Sequence, residues 1–201
     1  MTNNTIDRAT KIFQDHSGIL RAQQAIRLGI APRTLYAMRD AGVLQRVSRG
    51  LFRLVDAELS SNTDLVHVAL RIPKGVVCLI SALSFHALTT QIPRQVHIAL
   101  PIDAEKPRLE YPPLRIFWLS KKAYSAGIEN RELDGISVKI YGIEKTIADC
   151  FKFRNKIGLN VALEALRDYR KREGFNIDTL LHYARINRVE RVIKPYLEAI
   201  V

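Results

Sequence analysis

The sequence predicts an α+β fold, and three observations carry that expectation. Residues 20–55 read as two short helices, a tight turn and a two-stranded ribbon; residues 96–141 hold three strand-like runs; residues 143–200 keep a helical period with few breaks. The expected architecture is an N-terminal winged helix-turn-helix over residues 1–56, followed by a mixed α/β domain with a helical C-terminal part over residues 57–201. A chain of 201 residues is too long for the first module alone and suits one such module plus a second domain of ordinary size.

Residues 1–4 are expected to be disordered. Thr5 then fits the N-cap of a helix to about Gln14 that buries Ile6, Ala9, Ile12 and Phe13, and His16-Ser17-Gly18 breaks it. The next helix spans Arg21 to Leu28, with Ala22, Ala25, Ile26 and Leu28 as its apolar stripe, and stops at Gly29. Pro32 suits the first position of a new helix, because its missing N–H is not needed there and its φ is already helical. That helix runs to Ala41 and is capped by Gly42. On a wheel of about 100° per residue, Ala31, Leu35, Met38 and Gly42 share one side. Arg33, Tyr36, Ala37 and Asp40 lie opposite, with Thr34 and Arg39 on the flanks. An apolar inner side and a donor-bearing outer side suit a helix that offers its first residues to base edges in a major groove. Val43–Val47 and Leu51–Val55 are β-prone runs around Ser48-Arg49-Gly50, and Arg46, Arg49 and Arg53 decorate the ribbon. Guanidinium groups near phosphates release counterions and fix the register of a docked helix.

Residues 56–63 are short and polar, as at a domain junction. A helix is expected over 64–71, a turn at Pro73-Lys74-Gly75, and then the apolar stretch 76–88, which enters a helix after an opening that also suits a strand. Strands follow at 96–100, 114–119 and 136–141, the last two preceded by Pro112-Pro113 and Asp134-Gly135. The tail reads as helices over 143–153, from Asn160 as N-cap to about Arg172, over 177–186, and over 189–200, where Pro195 should kink or interrupt the last. Internal repeats and low-complexity segments are not found.

Charge points to a polyanionic partner. The chain carries a formal net charge of +11. Residues 1–56 and 150–201 each hold a net +5 and the middle a net +1. Eight of the nine cations in residues 1–56 are Arg, the residue suited to planar bidentate recognition. Neither a signal peptide nor an apolar run near the ~20 residues of a membrane span is seen, so a cytoplasmic location and no membrane partner are expected. Cys78 and Cys150 lack metal or disulfide spacing and read as buried free thiols. Histidines at 16, 67, 86, 97 and 182 form no ligand pair, and His86 and His97 read as satisfied core or edge residues. Phosphate loops, dinucleotide fingerprints and nucleophile elbows are missing, so no cofactor, metal or catalytic residue is expected. Asp103, Glu105, Glu144 with Lys145, and Asp149 are the carboxylates that the alternative reading, a metal-dependent nuclease brought to nucleic acid by the winged helix, would use. Arg167, Arg170, Lys171 and Arg172, with Arg188 and Arg191, mark either solvated helix ends or a second basic face.

A resemblance adds to this. The ribbon Arg46-Val47-Ser48-Arg49-Gly50-Leu51-Phe52-Arg53-Leu54, the stretch from Ser81 to Pro93 leading into Val96-His97-Ile98-Ala99, and Tyr141-Gly142-Ile143-Glu144-Lys145-Thr146-Ile147-Ala148-Asp149-Cys150-Phe151 resemble the AbiEi family over nearly the entire chain. These are antitoxins of abortive-infection, type IV toxin–antitoxin systems, described as transcriptional regulators of viral (phage) defence. The resemblance implies a winged helix that binds inverted repeats in its own promoter, as two copies of a chain that can be monomeric in solution, and represses the operon. It also implies a C-terminal domain that neutralises a co-encoded nucleotidyltransferase-like toxin without catalysis. Family reading helices often begin with Ser or Thr where this chain has Ala31, and often carry a second Arg near Ala37. The residues expected to touch DNA are Arg33, Thr34, Tyr36 and Arg39 in the groove, and Arg46, Ser48, Arg49 and Arg53 on the ribbon.

Overall fold

The computed structural model describes residues 3–16, 18–56 and 62–200. Its class is the expected α+β: amino-terminal helices with a three-stranded sheet, a five-stranded mixed sheet, and carboxy-terminal helices. Two compact units are formed, Met1–His67 with Glu132–Ser137, and Val68–Arg131 with Val138–Val201. The junction expected at 56–63 lies mostly outside the described residues, as do Met1, Thr2 and Ser17.

In the first unit, helix α1 (Asn3–Gln14) already begins at Asn3, inside the stretch expected to be disordered. Gly18, at φ +76°, donates its N–H to the Phe13 carbonyl at 2.7 Å and closes the helix end. Strand β1 (Ile19–Arg21) follows, so Arg21 ends a strand rather than opening a helix. Helix α2 (Ala22–Arg27) buries only Ala25; Ile26 is 46% exposed and Leu28 37%, and the expected stripe shrinks to one residue. Helix α3 (Pro32–Asp40) carries Pro at its first turn and packs inward through Leu35 and Met38. Strands β2 (Leu44–Ser48) and β3 (Leu51–Leu54) form the ribbon, paired Leu44 to Leu54 and Arg46 to Phe52, with an irregularity between Arg46 and Ser48. On its other edge β3 pairs antiparallel with β1, Leu20 opposite Phe52. Ala9, Phe13, Leu20, Ala25, Ile30, Leu35, Met38, Leu44, Phe52 and Leu54 make the core of this unit.

Helix α4 (Thr63–Arg71) leads into the larger sheet. Strands β4 (Val76–Val77), β5 (Val96–Pro101), β6 (Leu114–Leu119), β7 (Ile128–Leu133) and β8 (Ile136–Tyr141) lie in the order β6-β5-β4-β8-β7. The opening of the 76–88 stretch is thus a strand of two residues at the centre of the sheet, antiparallel to β5 and parallel to β8. It is followed by helix α5 (Leu79–Phe85). β5 and β6 run parallel, Ile98 opposite Ile116. Two elements go beyond the expectation. Helix α6 (Lys121–Ser125) is barely more than a turn, and β7 reads Ile-Glu-Asn-Arg-Glu-Leu, too charged to alternate. Asp134 and Gly135, at φ +50° and +70°, form the two-residue turn that joins β7 to β8.

Helices α7 (Ile143–Lys152), α8 (Arg154–Ile157), α9 (Leu159–Arg170), α10 (Ile177–Ile186) and α11 (Glu190–Ile200) complete the chain. Asn160 lies inside α9, whose N-cap is Gly158 at φ +94°, and α11 runs uninterrupted through Pro195. α7 is buried from Lys145 to Phe151. It packs with α5, α9, α10 and α11 into one core that includes Leu79, Leu83, Phe117, Ile147, Phe151, Leu166, Leu180 and Ile193.

Candidate nucleic-acid interface

The outer face of α3 is built by exclusion. Leu35 and Met38 are drawn inward, which turns Arg33, Tyr36 and Asp40 to solvent. Tyr36 is held upright by an edge-to-face contact with Phe52 of the ribbon, ring centroids 6.3 Å apart. Arg39 stacks its guanidinium 5.2 Å from the Tyr36 ring centre and donates from Nε and a terminal nitrogen to Asp40 Oδ1 at 2.9 and 2.7 Å. Asp40, acidic on a basic face, therefore serves as the clamp of Arg39. Neighbours along a helix do not share a face, so spacing gives no warning of this pair; only the bend of a long side chain makes it.

Thr34 departs from the expected set. It is 4% exposed, turned toward α1 and not toward solvent, so it is withdrawn from the groove residues. The ribbon presents Arg46 and Arg49 to solvent, while Arg53 is half-buried and donates to Gln45 Oε1 at 3.2 Å. The backbone of Ser48 ends β2; its side chain lies outside the described residues. Arg21, Gln23 and Arg27 are also exposed, at the start and along the outer side of α2. The sequence does not single them out, because the apolar residues of α2 read as its packed face. Arg21, Arg27, Arg33, Arg46 and Arg49 of one module thus reach solvent from the end of β1, α2, α3 and the ribbon, beside Arg39 with its Asp40 partner.

Residues 7–55, which contain all of these groups, match the family model described as transcriptional regulator, AbiEi antitoxin. The amino-terminal module is similar to the AbiEi antitoxin family of regulators over that segment. The whole chain is similar in fold to the crystal structure of the RV2827C protein from Mycobacterium tuberculosis, with a TM-score of 0.55 and 12% identity over 98% of this chain and 82% of that one. A search of curated proteins finds no match. The matched segment holds both α3 and the ribbon.

The second basic cluster is divided. Arg167, Arg170 and Lys171 are exposed on the last turn of α9, where cations favour the helix end, and Lys171 pairs with Asp168 at 2.9 Å. Arg172 has a different task. One of its terminal nitrogens donates to the carbonyls of His86 and Ala87, both at 2.7 Å, and ties the end of α9 to the end of α5. Arg188 and Arg191 are exposed between α10 and α11, while Arg185 and Lys194 share Glu190.

Of the carboxylates considered for metal chemistry, Asp103 and Glu105 are exposed after β5, and Asp149 and Glu144 are engaged inside the second unit. Lys145 and Asp149 sit one helical turn apart inside α7, 0% and 1% exposed, with Lys145 Nζ 2.5 Å from both carboxylate oxygens. Asn187 Nδ2 donates to Asp149 Oδ1 at 2.7 Å, and the ammonium lies 4.1 Å from the centre of the Tyr141 ring. Glu144 accepts from the Tyr169 hydroxyl at 2.5 Å; burial first, and then this bond, push that hydroxyl up to about 12. Among the described residues no group of three His, Cys, Asp or Glu side chains could hold a metal ion. Cys78 and Cys150 are free and buried, and burial pushes both thiols well up, away from the reactive thiolate. His86 donates from Nε2 to the Tyr141 carbonyl at 2.8 Å, as a satisfied histidine should. His97 does not match that description: its Nδ1 is buried without a partner, and burial lowers its pKa to about 4. Among the described residues no helix is long and apolar enough to cross a membrane.

Proposed function

We propose that the protein is a sequence-specific DNA-binding repressor that recognises inverted repeats in its own promoter, and that it acts as antitoxin to a co-encoded nucleotidyltransferase-like toxin. The observation that carries this reading is the outer face of α3, where Arg33, Tyr36 and the clamped Arg39 stand beside the Arg46 and Arg49 ribbon within the segment that matches the AbiEi family. Arg33 is at the start of the helix, where side chains reach base edges first, and Arg39 is pre-oriented by Asp40 and Tyr36. Arg46, Arg49 and Arg53 supply phosphate contacts. Arg53 does so least, because Gln45 already holds it. Double-stranded DNA and the toxin are the partners in this reading, the chain is no enzyme, and residues 57–201 form the antitoxin domain.

The test is a titration of the full-length protein against fluorescently labelled upstream DNA and a scrambled duplex, at two salt concentrations. Preferential binding that strengthens with falling salt is the expected result; equal binding of both duplexes overturns the repressor. Co-expression with the product of the neighbouring gene tests the antitoxin half, since an antitoxin restores growth and a mere oligomerisation unit does not.

A further inference from the structure

The two edges of the five-stranded sheet are unlike. β7, at one edge, reads Ile-Glu-Asn-Arg-Glu-Leu and exposes Asn130, Arg131 and Glu132, the charged kind of edge that discourages further pairing. β6, at the other, reads Leu-Arg-Ile-Phe-Trp-Leu. Its one charge, Arg115, is already engaged: it donates to the Lys156 carbonyl at 2.8 Å and stacks 5.5 Å from the Phe117 ring centre. We infer that the open edge of β6 pairs antiparallel with β6 of a second copy of this chain, about a twofold axis at Ile116, and joins two five-stranded sheets into one.

Backbone, side chains and register agree on this. Val96 donates its N–H to the Pro113 carbonyl at 2.8 Å and Ile102 to the Leu119 carbonyl at 2.9 Å, so the odd-numbered residues of β6 turn their backbone groups to β5. Those of Leu114, Ile116 and Trp118 point away from β5, and among the described residues no backbone group answers them. The side chains alternate in the same way. Phe117 packs on Phe153, ring centroids 4.9 Å apart, whereas on the other face Leu114 and Ile116 are half-buried and Trp118 is 41% exposed, close to Ile102 at 72%. The open edge thus carries an apolar row that an added strand would cover.

Register singles out the occupant. Centred on Ile116, the pairing sets Leu114 opposite Trp118 of the second copy and Ile116 opposite Ile116, so all three open residues find partners and the apolar row becomes continuous. On the other face Arg115 meets the Phe117 ring of the second copy and not another cation. Centred one residue earlier, the pairing would oppose Arg115 to Arg115 and Trp118 to Pro112, which has no N–H. Centred one residue later, it would set Leu114 opposite Ser120, beyond the strand. A strand that complements itself in one register is suited to a second copy of itself. Six residues fall well short of the about 20–30 residues a side of a stable interface, so the pair is reversible and forms as concentration rises. It uses the second unit alone and does not require that the first read DNA.

The experiment is sedimentation velocity of the full chain from about 10 μM to 1 mM, the range in which so small an interface should associate. The parent should pass from monomer to dimer, and Ile116→Lys should weaken that step about tenfold or more, since an apolar pair is lost and like charges are opposed. An equimolar mixture of Ile116→Lys and Ile116→Glu should dimerise again, which also shows that both variants fold. Under mild oxidation Ile116→Cys should form a disulfide-linked dimer, its two Cα atoms being about 5.5 Å apart in a hydrogen-bonded pair. Leu114→Cys should not, because its two copies lie about 13 Å apart along the strands. Cys78 and Cys150 are buried and do not compete. A parent that stays monomeric at the highest concentration, a dimer that survives Ile116→Lys, or equal cross-linking of the two cysteine variants overturns the pairing. If the parent stays monomeric and Ile116→Lys abolishes growth rescue on co-expression with the neighbouring gene product, the edge receives another protein and the second copy is the wrong occupant.

Discussion

Replacing Lys145 with Met isolates what the buried pair in α7 does. Met keeps the length of the aliphatic stem, so little cavity opens, but Asp149 stays 1% exposed with only the Asn187 amide to answer its charge. Breaking a buried pair by removing one partner costs about 3–5 kcal/mol, because the remaining charge is left without compensation. Asn187 softens this loss, and the forfeited contact of the ammonium with the Tyr141 ring adds to it, so we expect about 4 kcal/mol. At about 2–4 °C per kcal/mol for a chain of this size, the melting temperature should fall by roughly 8–16 °C. Urea unfolding followed by the fluorescence of Trp118, the single tryptophan of the chain and a residue of β6, reads the unit concerned directly. Asp149→Leu alone should cost a similar amount by stranding the ammonium. The double variant should lie only about 1–3 kcal/mol below the parent, the loss left when Asn187 has no acceptor. A loss under about 1 kcal/mol for Lys145→Met, or a double variant as unstable as the sum of the two singles, would refute the reasoning, since coupled charges must deviate from additivity.

Other expectations follow from the same geometry. Arg33→Ala should relax base preference at one position by about 1–3 kcal/mol, whereas Arg49→Ala should weaken all duplexes alike and lower the salt slope by about 1; the reverse pattern in competition titrations would move the groove contact to the ribbon. His97 binds a proton only near pH 4 in the folded protein but at its ordinary 6.5 when unfolded. Between those values the unfolded chain holds more protons, so stability should fall as pH drops from about 6.5 to 4 and level off below, and His97→Phe should flatten that limb of the urea midpoint against pH. Gly127 has φ +71°, and a Cβ there would lie 2.7 Å from Lys145 Cβ, so Gly127→Ala should destabilise the second unit by at least about 1–3 kcal/mol; a neutral substitution in the same urea assay would show that α7 can shift to make room.

Local chemistry made much of the fold legible. Gly29, Pro32 and Gly42 punctuate the helix pair, and their constraints act within a few residues, so α3 starts and ends where the sequence places it. The alternation of Ile136, Val138 and Ile140 against Ser137 and Lys139 carries β8 in the same way. Short or charged elements were not legible. β1 has three residues and β4 two, and each is a strand only because a distant strand supplies its hydrogen bonds. β7 is an edge strand whose charged residues can face solvent, and the Asp134-Gly135 turn was its one readable sign. In the candidate interface, the arginines of α3 and the ribbon could be chosen from the helical wheel and from charge. The wheel could not turn Thr34 toward α1, because that depends on a helix packed against α3 and not on α3 itself.

The sequence by itself determined the class of the fold, the helix-turn-helix with its basic ribbon and the net positive charge on which the expectation of a polyanionic partner rests, since propensity, turn chemistry and net charge are local or additive properties. Only the tertiary structure decided which charges are free to act. Arg39 is clamped by Asp40, Arg172 is committed to the carbonyls of His86 and Ala87, and Lys145 is consumed by Asp149 in a helix buried on every side. Whether a side chain meets solvent or a partner depends on what packs against it in three dimensions, and at such positions burial and pairing overrule residue type.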